Sequence, residues 1–327
     1  MDNSTESTTL VDEENNSSRG ILYALYGVIG VVGVLGNAIV CLVLFFSGKI
    51  FGAVTTTLII NQSAMDLVAS LFLLGLRLGP TIDSVEEPWF SILCRFWTTE
   101  YLMWAAFQSS TFNLVLITIE RYFAVCRPIQ HHKLFTAKRI KCACVVMWFL
   151  GALYNTYWIA IVYSNKPYCY PQWPNLRIQQ VFGVIIILVD LVIPTSIMLC
   201  SYIKITLELK RRQQMPSASG PVATFSRAKK NVIKTMFIVV ISYVVTWTPT
   251  EIGYLYYNLG YEYSFVSATH YFLSALVLIN MCTNPIIYCL MVEKFRKKLQ
   301  LIVCRGRGNA IEDSSVVSTI DEPVDVS

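Results

Sequence analysis

Seven long apolar stretches, separated by short polar ones, set the pattern of this chain. They run roughly over residues 21–46, 55–79, 96–125, 140–163, 180–207, 232–257 and 265–291. A helix needs about 20 largely apolar residues to cross a bilayer, and each stretch reaches that length. None shows the alternation of an outer-membrane barrel strand. Backbone groups in hydrocarbon need partners within their own segment, so the stretches predict an all-α bundle of seven transmembrane helices. No internal repeat is visible.

The polar connections give the bundle a direction. Those after the first, third and fifth stretches, and the tail, are basic: Lys49; Arg127, Lys133, Lys138, Arg139 and Lys141; Lys210, Arg211, Arg212, Arg227, Lys229 and Lys230; Lys294, Arg296, Lys297 and Lys298. The opposite side is acidic, with Asp12, Glu13, Glu14, Asp83, Glu86 and Glu87. Lys and Arg concentrate on the cytoplasmic side of membrane proteins. The expectation is a multi-pass plasma-membrane protein with its N-terminus outside. Composition agrees, since 54% of residues are hydrophobic and 14% charged. A net charge of +5 then reports topology and makes no case for a nucleic-acid partner.

The chain divides accordingly. Residues 1–20 are polar and expected to be disordered, with no apolar region of a cleavable signal peptide ahead of residue 21. Asn3, Asn15 and Asn16 open N-x-Ser/Thr patterns suited to glycosylation there. Residues 21–291 form the membrane domain. Residues 292–304 predict a short basic amphipathic helix with Phe295, Leu299 and Ile302 toward the bilayer. Residues 305–327 are expected to be a disordered tail, in which Ser314, Ser315, Ser318 and Thr319 are candidate kinase and arrestin sites. Cys304 is a weak candidate for palmitoylation, or simply a free thiol. Of the ten cysteines, only Cys94 and Cys169 fall at the outer face, and one disulfide between them is the economical pairing.

Each stretch carries a polar feature that lipid penalises. The first has Gly36 and Asn37, the second Asn61 and Asp66, and the third ends in Glu120, Arg121 and Tyr122. The fourth has Trp148, the fifth Pro194 and Tyr202, the sixth Trp247, Thr248 and Pro249. The seventh has Asn280, then Asn284, Pro285, Ile286, Ile287 and Tyr288. A membrane helix with two Asn, a Pro and a Tyr so close together reads as a moving part. Over residues 20–304 this ordered set resembles the rhodopsin-like family of G-protein-coupled receptors.

The resemblance implies a receptor, not an enzyme, that passes an extracellular signal to a heterotrimeric G protein, with arrestin, receptor kinases and membrane lipid as further partners. It implies that Ser110, Asn280 and Asn284 stand beside Asp66 in an oxygen-rich pocket for an allosteric sodium ion. The alternative is a protonated Asp66 bonded to the two Asn. It implies that Glu120 restrains Arg121 at rest and that Arg121 swings toward Tyr202 and Tyr288 on activation. Trp247, next to the Pro249 kink, converts ligand contact into rotation of the sixth helix. The chain departs from the common pattern in several places. Lys229 stands where an acid often restrains Arg121, which predicts ligand-independent signalling. Thr111 and Tyr243 replace an aliphatic and a Phe, and Gln62 stands where Leu is common. Cys94 lies 27 residues before Arg121, two more than usual. With no Pro or Gly between them, the helix is expected to run unbroken, so pocket positions are counted from Arg121.

The pocket is less legible. No Lys occurs between residues 235 and 293, and Leu278 fills the place of a retinal lysine, which excludes an opsin. Met103 replaces the Asp of biogenic-amine receptors. Asp190 and Glu251 are expected to face the cavity and receive a cationic group, such as a peptide Arg or an amine. Alternatively they share a proton, as like carboxylates in contact do, while Arg77 pairs with Glu100; a proton-sensing receptor is then a third reading. Tyr254 and His270 belong to an aromatic rim suited to a basic peptide, although aromatics gather at membrane interfaces in any case. A seven-helix transporter or channel is the competing class. It would need inverted repeats or a continuous polar path, and neither is evident.

Overall fold

The computed structural model describes residues 3–46, 52–79, 82, 85–166, 168–214, 222–265 and 267–305. The side chains of Asn3, Asn15, Asn16, Lys229 and Cys304, and the tail bearing Ser314, Ser315, Ser318 and Thr319, lie outside what is described.

Seven helical stretches are long and apolar enough to cross a membrane: Gly20–Phe46, Ala53–Leu78, Trp89–Cys126, Ala137–Ile161, Leu176–Arg212, Phe237–Asn258 and Ala268–Met291. They are built from α1 (Asn3–Phe46), α2 (Ala53–Leu78), α3 (Trp89–Leu93), α4 (Tyr101–Cys126), α6 (Ala137–Ile161), α7 (Leu176–Ile187), α8 (Ile193–Gln214), α9 (Val222–Asn258), α10 (Ala268–Leu278) and α11 (Asn280–Met291). A short helix α5 (Pro128–Leu134) links the third and fourth spans, and α12 (Glu293–Arg305) follows the seventh. The fourth span is mostly outward-facing, with Val145, Phe149 and Leu153 exposed. In a bilayer those side chains meet lipid.

The third span forms the axis, touching the second, fourth and fifth. Small residues permit the close approaches. A Cβ on Gly151 would stand 2.7 Å from the Ala105 carbonyl, so the fourth span lies directly on the backbone of the third. The main core gathers Met103, Phe107, Met198, Tyr243, Trp247, Leu278 and Met281 from several spans. Helix starts are capped where polar side chains precede apolar runs. Asn175 Oδ1 accepts from the Ile178 amide at 2.9 Å, and Ser267 Oγ from that of His270 at 3.1 Å.

Three expectations need correction. Residues 3–20, expected to be disordered, are a helical extension of α1. Once a helix is nucleated, each added residue gains a hydrogen bond, so a long apolar helix propagates into polar sequence at low cost. The third span is interrupted: a π turn over Cys94–Thr98 precedes Glu100, which has φ 56°, and α4 starts at Tyr101. The extra length before Arg121 is taken up here, without Pro or Gly. Phe295 does not face the bilayer. It is fully buried against Val40, Val43, Leu44 and Ile59, with Leu299 beside it, while Ile302 is exposed. Docking on the bundle buries more of a Phe ring than a half-immersed helix face would.

At the acidic end, β1 (Val162–Asn165) and β2 (Tyr168–Pro171) form an antiparallel hairpin with Ser164 opposite Cys169. The Cys94–Cys169 disulfide, with a Cα separation of 5.8 Å, ties this hairpin to the third span as expected. A hydrogen bond between Ser91 and Ser164 at 2.8 Å and an ion pair between Lys166 and Glu86 at 3.0 Å add to the attachment.

Candidate functional site

Polar side chains are buried at several levels of the bundle, and prolines explain some of them. A proline cannot donate to the carbonyl four residues back. For Pro285 that carbonyl is Met281, and Asn37 Nδ2 donates to it at 2.8 Å. The Asn37 amide therefore replaces the bond that Pro285 removes. Gly36 makes room, since a Cβ there would lie 2.9 Å from the Pro285 ring. For Pro194 the carbonyl is Asp190, just inside a π turn over Leu188–Val192. The Tyr243 hydroxyl donates to it. The Tyr that stands in place of the usual Phe thus supplies the fifth span with a donor from the sixth.

Midway through the bundle, Asp66 is buried and accepts from three side chains. Ser110 Oγ donates to Oδ1, and Asn284 Nδ2 to Oδ2 at 3.1 Å. Gln62 Nε2 reaches Oδ2 at 3.4 Å and also donates to Ser110 Oγ. Asn280 is not part of this set. It lies just past the break between α10 and α11, and its amide donates to Thr246 Oγ1 and to the Val277 carbonyl. The break turns it toward the sixth span instead of the second. The expected oxygen cage is therefore incomplete, and much of what faces Asp66 is N–H. A cavity of about 20 Å³ lies alongside, walled by Gln62, Ser110, Trp247, Asn280 and Asn284 among others, but not by Asp66. That is room for about one water.

At the basic end, Arg121 Nε pairs with Glu120 Oε2 at 3.0 Å, as expected. Two partners not foreseen join them. Arg121 also bonds Thr55, and His131 Nε2, on α5, lies 2.8 Å from Glu120 Oε1. Tyr202 stacks on Phe237 at 5.2 Å. The Tyr288 ring lies 6.2 Å from that of Phe295. Tyr122 is half-buried, with the Lys204 ammonium 5.7 Å from its ring. Trp247 stacks on Phe107 at 5.3 Å, and the Tyr243 ring packs against it at the same distance.

The expected ligand residues separate into two groups. Arg77 and Glu100 form an ion pair at 2.6 Å, the alternative kept open for them. Trp104 Nε1 donates to Glu100, and the Arg77 guanidinium lies over the Tyr26 ring at 4.7 Å. His270 sits nearby, bonded to Tyr263 at 3.0 Å. Met103 is buried in the core below. Across the bundle, Asp190, Glu251 and Tyr254 gather with Gln108 and Tyr154, which no sequence motif marked. Asp190 Oδ1, Glu251 Oε2, Tyr254 OH, Gln108 Nε2 and Tyr154 OH are all buried without a hydrogen-bond partner. Gln108 and Tyr154 stand next to Asp190, just outside bonding geometry. Neither carboxylate has an ion-pair partner among the described residues.

Against known proteins, residues 36–288 match the family model described as 7 transmembrane receptor (rhodopsin family). The Tachykinin-like peptides receptor 99D of Drosophila melanogaster is 25% identical over 302 residues, spanning 87% of this chain and 57% of the receptor. This chain thus spans less than two thirds of that relative's length. The Galanin receptor 2b of Danio rerio is 28% identical, over 87% of this chain and 76% of the receptor. The Cholecystokinin receptor type A of Cavia porcellus is 27% identical, over 80% and 75%. A family match over most of the chain joins the seven spans, the Glu120–Arg121 pair and the Asn284–Pro285 helix, and the protein belongs to the rhodopsin family of seven-transmembrane receptors.

Proposed function

We propose that this protein is a G-protein-coupled receptor for an extracellular peptide carrying a basic group. The observation that carries this reading is the set of unpartnered polar atoms around Asp190 and Glu251. Five buried groups from the third, fourth, fifth and sixth spans converge without satisfying one another. A buried polar atom without a partner costs about 1–3 kcal/mol, and a guanidinium or ammonium would offer donors to both carboxylates. Peptide-receptor relatives support a peptide over a small amine, as does Met103 in place of an acid. A vestibule of about 450 Å³ at the rim, walled by Trp173, Gln179, Tyr257 and Tyr261 among others, would seat the rest of such a ligand. The message would pass through Trp247 to the sixth span and on to Arg121, freeing a cytoplasmic groove for a Gα subunit.

Screening basic and amidated peptides with several Gα reporters tests the reading. Glu251→Gln and Asp190→Asn should each lower the potency of an active basic peptide by at least about tenfold, one charge-assisted hydrogen bond's worth. Unchanged potency in both variants overturns the cationic-group assignment. Activation by external acid alone, lost in Glu251→Gln, would favour the proton-sensing reading, which rests on two buried carboxylates, Asp190 and Glu251, with no ion-pair partner among the described residues.

A further inference from the structure

The cluster around Asp66 has a defined polarity, and the indole of Trp148 sets it. Trp148 Nε1 donates to Asn61 Oδ1 at 3.1 Å. Asn61 Nδ2 donates to Asn113 Oδ1 at 3.0 Å. Asn113 Nδ2 donates to Gln62 Oε1 at 2.8 Å and to the Leu58 carbonyl at 3.1 Å. Gln62 Nε2 then points at Asp66 and Ser110. Amide orientations are interchangeable in isolation, but not in this relay. An indole N–H only donates and a backbone carbonyl only accepts, so the two ends force every amide between them into one orientation. The relay delivers an N–H group, not an oxygen, to the carboxylate.

A cation at Asp66 would need oxygen ligands on the side where Gln62 and Asn284 present nitrogen. The neighbouring cavity offers no alternative approach, because Asp66 does not line it and Asn280 is turned to Thr246. We infer that the Gln62 amide, oriented by the Trp148–Asn61–Asn113 relay, occupies the place of a cation at Asp66, so that sodium does not regulate this receptor. Gln62 is a positioning residue that ties the second span to the third, while Asn61 ties the same relay to the fourth. Breaking the relay releases its orientation. With the Asn113 amide removed, nothing holds Gln62 Oε1 and the Gln62 amide can turn to present oxygen to Asp66; with Gln62 replaced by an apolar side chain, Asp66 and Ser110 are left open to a hydrated ion.

The test is thermal unfolding of the purified full-length receptor in sodium chloride and in choline chloride at equal ionic strength. The wild-type midpoint is expected to be the same in both salts. Gln62→Leu and Asn113→Leu are expected to be less stable in choline and to regain on the order of 2–4 °C in sodium. Adding Asp66→Asn to either variant should abolish that gain. If one variant does not fold, the other decides. A wild-type midpoint that rises with sodium overturns the inference, as does indifference to sodium in every variant that folds. The readout needs no ligand, so it stands apart from the peptide assignment.

Discussion

At the level of single residues, the positions that depart from the family pattern are the ones with the most specific work. Tyr243 is the clearest. Its ring packs against Trp247, and its hydroxyl serves the Asp190 carbonyl that Pro194 cannot serve. Tyr243→Phe keeps the ring and removes the donor. The expected loss is about 1–3 kcal/mol, the cost of an orphaned buried acceptor, read as a lower unfolding midpoint. An unchanged midpoint would mean that the carbonyl finds another donor. Gln62 and Thr55 are likewise polar residues at buried places, and they contact the charged side chains of Asp66 and Arg121 respectively. His131 shares Glu120 with Arg121, so the restraint that Lys229 was expected to leave weak has a contributor from α5. Gln62 was open to detection, since it lies four residues before Asp66 and i, i+4 pairs face one another on a helix. His131 was not, because nothing in its neighbourhood fixes how α5 folds back.

At the level of elements, the irregular turns matter more than the regular ones. Glu100 adopts a left-handed conformation that costs a non-glycine residue about 1 kcal/mol or more. Arg77 and Trp104 hold it there through its carboxylate. The first and seventh spans depend on one another in a comparable way. Asn37 replaces the hydrogen bond Pro285 removes, and Gly36 lets the two helices approach. Asn37→Leu should cost about 1–3 kcal/mol for the unpaired Met281 carbonyl. Gly36→Val should cost more, because its branch meets the ring of Pro285 and forces the helices apart. Unfolding midpoints of the two variants check this ordering; a Gly36→Val protein as stable as the wild type would contradict the close packing. The Pro kinks were evident in sequence, whereas the breaks at Glu100 and Ile279 were not. No local residue type demands them, and they arise from fitting two fixed ends together.

For the whole molecule, the disulfide is the one covalent tie between the outer hairpin and the bundle among the described residues. It closes a separation of 75 residues. Cys169→Ser should cost about 2–4 kcal/mol and free the hairpin from the mouth above Asp190 and Glu251. A lower unfolding midpoint and reduced peptide potency are expected together. Loss of stability with full potency would show that the hairpin does not shape the binding site.

The sequence by itself determined the class. Seven apolar lengths, the membrane's demand for internally bonded backbone and an ordered set of polar exceptions left one architecture, and the Cys94–Cys169 pair was readable from its position. It also singled out the polar residues of the spans, because polar groups in hydrocarbon stand out one by one. Tertiary structure alone decided their partners. Asn280 turned to Thr246 instead of Asp66, Arg77 closed on Glu100, Phe295 went into the bundle, and Gln108 and Tyr154 joined Asp190. The physical reason is that burial cost is a property of one residue and can be read along the chain. A hydrogen bond has direction and belongs to two residues, and which two meet depends on how the helices are rotated and where they break.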